Sequence, residues 1–116
     1  MGGWIKVFRD LKSHWLWNLN EPFDKRSAFI DLLLNVNYLQ NTVVLNGSKV
    51  LVERGQMITS VQKLADRWQW SRHKVSDYLN RLEQENMIVQ VRDSKKILIS
   101  ITNYESYQNN QKIRKF

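Results

Sequence analysis

Residues 59–101, TSVQKLADRWQWSRHKVSDYLNRLEQENMIVQVRDSKKILISI, carry the pattern that decides the fold. Val61, Leu64, Ala65 and Trp68 recur at the three- and four-residue spacing of an amphipathic helix, and Val75, Tyr78, Leu79 and Leu82 repeat it. Thr59 and Gln62 read as a capping box that opens the first helix: the Thr59 hydroxyl accepts from the Gln62 amide, and the Gln62 carboxamide reaches back to the Thr59 amide. Ser71 reads as the N-cap of the second helix. Trp70 lies in the turn between the two and has the size to plug it. Met87–Val91 and Ile97–Ile101 read as strands joined by the charged turn Arg92-Asp93-Ser94-Lys95-Lys96. Alternation in these strands is imperfect, so burial on more than one face is expected. Helix, tight turn, helix and charged-tip hairpin, in that order, is the plan of a winged helix-turn-helix.

Upstream, Asp24 is an acceptable N-cap for a helix running through KRSAFIDLLLNVNYL, with Ala28, Phe29, Leu32, Leu33, Val36 and Leu39 as its buried stripe. Two short β-branched runs, Val43–Leu45 and Lys49–Val52, flank Asn46-Gly47 and predict a hairpin. Arg54-Gly55 is a further turn, and Gln56–Ile58 a short strand. At the start, Trp4, Val7, Phe8, Leu11 and Trp15 fall on one face of an expected helix. Leu16 and Trp17 break its period, and NLNEP (18–22) reads as a loop. The expectation is an α+β, mainly helical domain over residues 1–108: a winged helix-turn-helix with an N-terminal helical extension and an extra β-hairpin. Residues 109–116, NNQKIRKF, read as a basic tail that begins a linker to a further domain.

A chain of 116 residues that is 42% hydrophobic has material for one core, and its composition is not that of a disordered chain. The absence of Cys excludes disulfides, thiolate-ligated metals and a thiol nucleophile, and two His (His14 and His73) leave little for an imidazole metal centre. No apolar run approaches the roughly 18 residues of a membrane span. The first residues carry no signal-peptide pattern, so a cytoplasmic protein is expected. No nucleophile–base pair, paired carboxylates or phosphate-binding glycine loop is visible, and neither catalysis nor a cofactor is expected.

The formal net charge is +7. Residues 1–58 carry seven basic and five acidic side chains (+2), and residues 59–116 carry eleven and six (+5). A basic domain meets a polyanion, be it nucleic acid, an anionic membrane or an acidic protein, or keeps its charge for solubility. Position argues for DNA. An α-helix fits the major groove, and the N-terminal part of a recognition helix reaches the base edges. In the second helix of the pair the core claims Val75, Tyr78, Leu79 and Leu82, which leaves Arg72, His73, Lys74, Ser76, Asp77, Asn80 and Arg81 on the other faces. Arg72 and Lys74 suit guanine edges or phosphates, and Ser71 with the helix N-terminus suits a phosphate oxygen. Arg92, Lys95 and Lys96 at the hairpin tip suit the backbone or minor groove. Lys63 and Arg67 on the first helix of the pair suit a flanking phosphate strand. The tryptophans also invite a base-stacking role, but Trp4, Trp15 and Trp68 sit in apolar registers and are expected in the core, with Trp17 and Trp70 outside those registers.

Three segments together, GWIKVFRDLKSHWLW, RGQMITSVQKLADRWQWSRHKVSDYLNRLEQENMI and ITNYESYQ, resemble the N-terminal domain of phage replisome organisers and DnaD-like primosomal proteins. The helix-turn-helix stretch alone also resembles GntR-type regulators. The first resemblance implies a winged-helix fold, binding of double-stranded DNA at a replication origin, and self-association through Trp4–Trp17 and Val43–Val52. It also implies recruitment of a helicase loader or helicase, usually by a C-terminal domain that these 116 residues do not include. A transcriptional regulator and an oligomerisation scaffold with weak DNA contact are the alternatives.

Overall fold

A computed structural model describes residues 3, 5–45 and 47–108. Trp4, Asn46 and the basic tail at 109–116, each assigned a part above, lie outside the described residues.

The first α-helix, α1 (Lys25–Asn35), starts where Asp24 Oδ1 accepts the Ser27 amide at 2.7 Å. That bond holds the Asp24 carboxyl below its ordinary range. Helix α1 ends four residues short of the expected Leu39. Val36 turns extended, the Asn37 amide donates to the Gln56 carbonyl, and the Asn37 carbonyl accepts the Gly55 amide. The chain is thereby drawn onto the sheet, and Leu39 is left exposed. Strands β1 (Asn41–Leu45) and β2 (Ser48–Val52) pair antiparallel as a hairpin, with Leu45 opposite Ser48. Gly47 takes φ +80°, the left-handed backbone that such a two-residue turn needs.

Strand β3 (Gln56–Thr59) leads into α2 (Val61–Trp68), and α3 (Arg72–Gln84) follows after a short turn. The cap of α2 lies one residue beyond the expected one. Ser60, not Thr59, accepts the Lys63 amide at 3.0 Å, because Thr59 is the last residue of β3 and is buried there. Gln62 reaches forward to Asp66 instead of back. At α3 the expectation holds: Ser71 Oγ accepts the Lys74 amide at 3.1 Å. Strands β4 (Ile88–Arg92) and β5 (Ile97–Ile101) form the second hairpin, and β3 joins its far side, so the sheet order is β3-β5-β4. As the central strand, β5 buries Ile97, Ile99 and Ile101 and half-covers Leu98 and Ser100. A last helix, α4 (Tyr104–Gln108), returns over Gly55. The described residues thus form an α+β domain with four α-helices and two small antiparallel sheets.

One core joins α1, α2, α3 and the three-stranded sheet through Ala28, Leu32, Leu64, Trp68, Val75, Leu79, Ile88 and Ile99. Trp68, Trp70 and Tyr78 pack ring to ring with centroids 4.9–5.9 Å apart. Trp70 does plug the α2–α3 turn, its indole donating to the Phe23 carbonyl at 2.7 Å.

The N-terminal segment departs from expectation. Among its described residues the helical structure is a 3₁₀ turn at Arg9–Ser13, and Phe8 and Trp15 are 85% and 70% exposed rather than in the core. The His14 carbonyl accepts the Trp17 and Asn18 amides, and His14 Nδ1 accepts the Leu16 amide, which closes the chain into a local turn. Trp17, the residue outside the helical period, makes the anchor. Its indole N–H donates to the buried carboxylate of Asp31 at 2.9 Å.

Candidate nucleic-acid interface

The N-terminal ends of α2 and α3 and the β4–β5 turn face a common concavity of about 530 Å³. Arg72, His73 and Ser76 line it from α3, Ser60 and Gln62 from α2, and Arg92 through Lys96 from the hairpin. Of the expected contact residues, five come together here: Arg72, His73, Arg92, Lys95 and Lys96. The position of Arg72 follows from the Ser71 cap, which sets the first turn of α3 with its N–H groups and cation pointing outward. Arg72 Nη1 lies 3.5 Å from Gln62 Oε1, a contact at the outer limit of a hydrogen bond on an exposed side chain. His73 faces Asp77 one turn on, Nε2 to Oδ2 at 3.1 Å, with both side chains exposed. Arg92 bridges the hairpin to the helix, donating to Gln90 Oε1 at 2.9 Å and to Ser76 Oγ at 3.3 Å.

The other expected residues stand elsewhere. Ser71 holds its helix cap at the edge of the concavity without lining it. Lys74 lies over the face of Trp70, its Nζ 4.3 Å from the ring centroid. Asn80 is tied to the root of β4, where its Oδ1 accepts from Gln90 Nε2 at 2.8 Å. Arg81 faces Glu85 at 3.5 Å on the exposed side of α3. The cations that share the concavity therefore belong to the first turn of α3 and to the hairpin. Lys63 lies with Arg67 in a separate depression beside Asn18, Leu19 and Asn20.

Arg67, expected beside a flanking phosphate strand, is engaged within the fold. Its Nε and Nη2 donate to Asp31 Oδ2 and Oδ1 at 2.6 and 2.7 Å, a two-pronged pair with a carboxylate that is 1% exposed. Asp31 also accepts from both the Trp17 and Trp68 indoles at 2.9 Å. The hydrogen bonds from Arg67 to Asp31 raise the guanidinium's affinity for its proton. Arg67 therefore holds α2 against α1.

Ser60, Gln62, Ser76 and Asp93 line the concavity without standing out in the sequence as contacts. The only signal for them is adjacency to caps and turns, since Ser60, Gln62 and Ser76 are uncharged and Asp93 counts against a basic surface. Among the described residues, no group of three or more His, Cys, Asp or Glu side chains is placed to hold a metal ion. Nor is any described helix long and apolar enough to cross a membrane. Compared with known proteins, the chain matches no family model, no curated protein and no solved structure.

Proposed function

We propose that this chain is a double-stranded DNA-binding module of the winged helix-turn-helix type, acting in phage-type replication initiation. The observation that carries the reading is the shared concavity, in which Arg72, Arg92, Lys95 and Lys96 converge from two separate elements. A helix whose first turn offers a cation, beside a hairpin tip that offers three, has the layout needed to enter a major groove while gripping the adjacent backbone. The order α1, β3, α2, α3, β4, β5 with sheet order β3-β5-β4 supports the winged-helix assignment. The replication role rests on the sequence resemblance to replisome organisers and DnaD-like proteins. Recruitment of a helicase loader is part of that same proposal.

Fluorescence anisotropy of a labelled duplex titrated with the protein at low salt is the direct test. Salt-dependent binding is expected, and each lost phosphate contact flattens the log K against log salt slope by about 0.9. Arg72→Ala combined with Lys95→Ala and Lys96→Ala should cut affinity while changing thermal stability little, because Arg72 and Lys95 are exposed and Lys96 is only half-buried. Unchanged affinity in that variant sinks the reading.

A second property has its own support. Ile5, Val7, Phe8, Ile30, Tyr38, Leu39 and Tyr107 are all exposed, and several of them line one largely apolar groove of about 500 Å³ between the N-terminal segment, α1 and α4. Exposed apolar surface of this kind marks protein contact. Self-association through this face is therefore part of the proposal. Light scattering over a concentration series checks it, with Phe8→Asp expected to shift the chain toward monomer.

A further inference from the structure

The concavity holds one acid among its cations, Asp93, at the tip of the β4–β5 hairpin. For a surface that meets a polyanion, a carboxylate there is unfavourable, and its removal would be expected to tighten binding. Its hydrogen bonds point the other way. Asp93 Oδ1 accepts the backbone amides of both Lys95 and Lys96 at 2.7 Å. The Asp93 amide in turn donates to the Lys96 carbonyl at 3.0 Å, closing the turn between Arg92 and its register partner Ile97. Among the described residues no ion pair within 4.0 Å links the carboxylate to either lysine ammonium, so the close contacts of the side chain are with the backbone of the tip. The same two amide bonds hold the Asp93 carboxyl below its ordinary range, so it stays ionised at neutral pH.

We infer that Asp93 is a positioning residue of the DNA-binding hairpin: its carboxylate pre-forms the tip that presents Lys95 and Lys96 to backbone phosphates. This inference rests on the DNA-binding reading and adds a residue whose charge alone argues against it. A tip that is already ordered does not lose backbone freedom on binding, and ordering even one residue at that moment weakens association about fivefold or more.

Asn and Ala substitutions separate the two roles of the carboxylate. Asp93→Asn removes the charge but keeps an Oδ1 acceptor for the two amides, whereas Asp93→Ala removes both. Duplex affinity is measured by anisotropy for the native chain and both variants at one fixed salt. Amide hydrogen exchange at Lys95 and Lys96 is followed in the free proteins. Asp93→Asn is expected to bind at least as tightly as the native chain and to keep both amides protected. Asp93→Ala is expected to bind about fivefold or more weakly than Asp93→Asn, with both amides exchanging freely. Equal tightening in the two variants would show that Asp93 acts only as a charge and would overturn the inference while the DNA reading stands. Should the native chain itself fail to bind duplex at low salt, the DNA reading falls first and this inference falls with it.

Discussion

Replacing Asp31 with alanine strikes the one fully buried carboxylate that ties three segments of the chain together. Five donors converge on it: the Trp17 and Trp68 indoles, Nε and Nη2 of Arg67, and Nδ2 of Asn35 at 3.1 Å. In Asp31→Ala the Trp68 indole, itself fully buried, loses its acceptor with no water to replace it, which costs about 1–3 kcal/mol. Arg67 keeps its charge and loses its counter-ion. Its side chain is 33% exposed, so water recovers part of that loss. Removing one partner of a buried pair costs about 3–5 kcal/mol, and the partial exposure of Arg67 argues for the lower half of that range. Against a total stability of about 5–15 kcal/mol, this lowers Tm by about 10–15 °C. Urea unfolding followed by tryptophan fluorescence measures the loss, and a thermal melt followed by circular dichroism checks it. A double-mutant cycle with Arg67→Met should show strong coupling, because each single change strands the same partner. A loss under about 1 kcal/mol in Asp31→Ala, or additive effects in the cycle, would refute the hub.

Two further outcomes follow from the same packing. Burial, and secondarily the nearby Asp24 charge, push the Tyr78 hydroxyl up to about 12, while an unfolded tyrosine ionises near its ordinary value of 10. Between those values the unfolded chain binds fewer protons than the folded one. Stability contributed by Tyr78 is therefore complete below pH 10 and falls by about 1.4 kcal/mol per pH unit up to pH 12. Urea unfolding at pH 8 and pH 11.5 should show that fall, and Tyr78→Phe should diminish it. Gly55 has φ +79°, and a Cβ placed there would sit 2.7 Å from Tyr104 Cβ. Gly55→Ala is accordingly expected to cost about 2–3 kcal/mol from the strained backbone and the displaced ring, read as a lower urea midpoint with an unchanged slope.

Most of the architecture is legible in the sequence because its signals are local. The stripes of α2 and α3, the caps at Asp24 and Ser71, and the two strands around the charged turn each follow from residues within a few positions of one another. Departures arise where a distant group competes. Leu39 leaves the helix because Asn37 bonds to the edge of β3, and Thr59 gives up its cap to Ser60 because it pairs with Ile97 in the sheet. The N-terminal apolar stripe has the period of a helix, yet Phe8 and Trp15 stay exposed while a local turn at His14 and the Trp17–Asp31 hydrogen bond hold the segment. Arg67 looked like a phosphate contact because an acid that neutralises it, Asp31, stands 36 positions earlier within the apolar run FIDLLL.

The sequence by itself determined the elements from α1 to β5, the helix pair, the charged hairpin tip and the basic surplus in residues 59–116, since periodicity, capping and charge are properties of neighbouring residues. Tertiary structure alone decided which cations share one concavity and which are neutralised from afar. It also decided that Trp17 rather than Trp15 anchors the N-terminal segment, and that Asp93 braces the tip on which Lys95 and Lys96 stand. The physical reason is the same in each case. Whether a charge or an indole is available to a partner depends on the groups within about 3–4 Å of it, and those come from segments that only folding brings together.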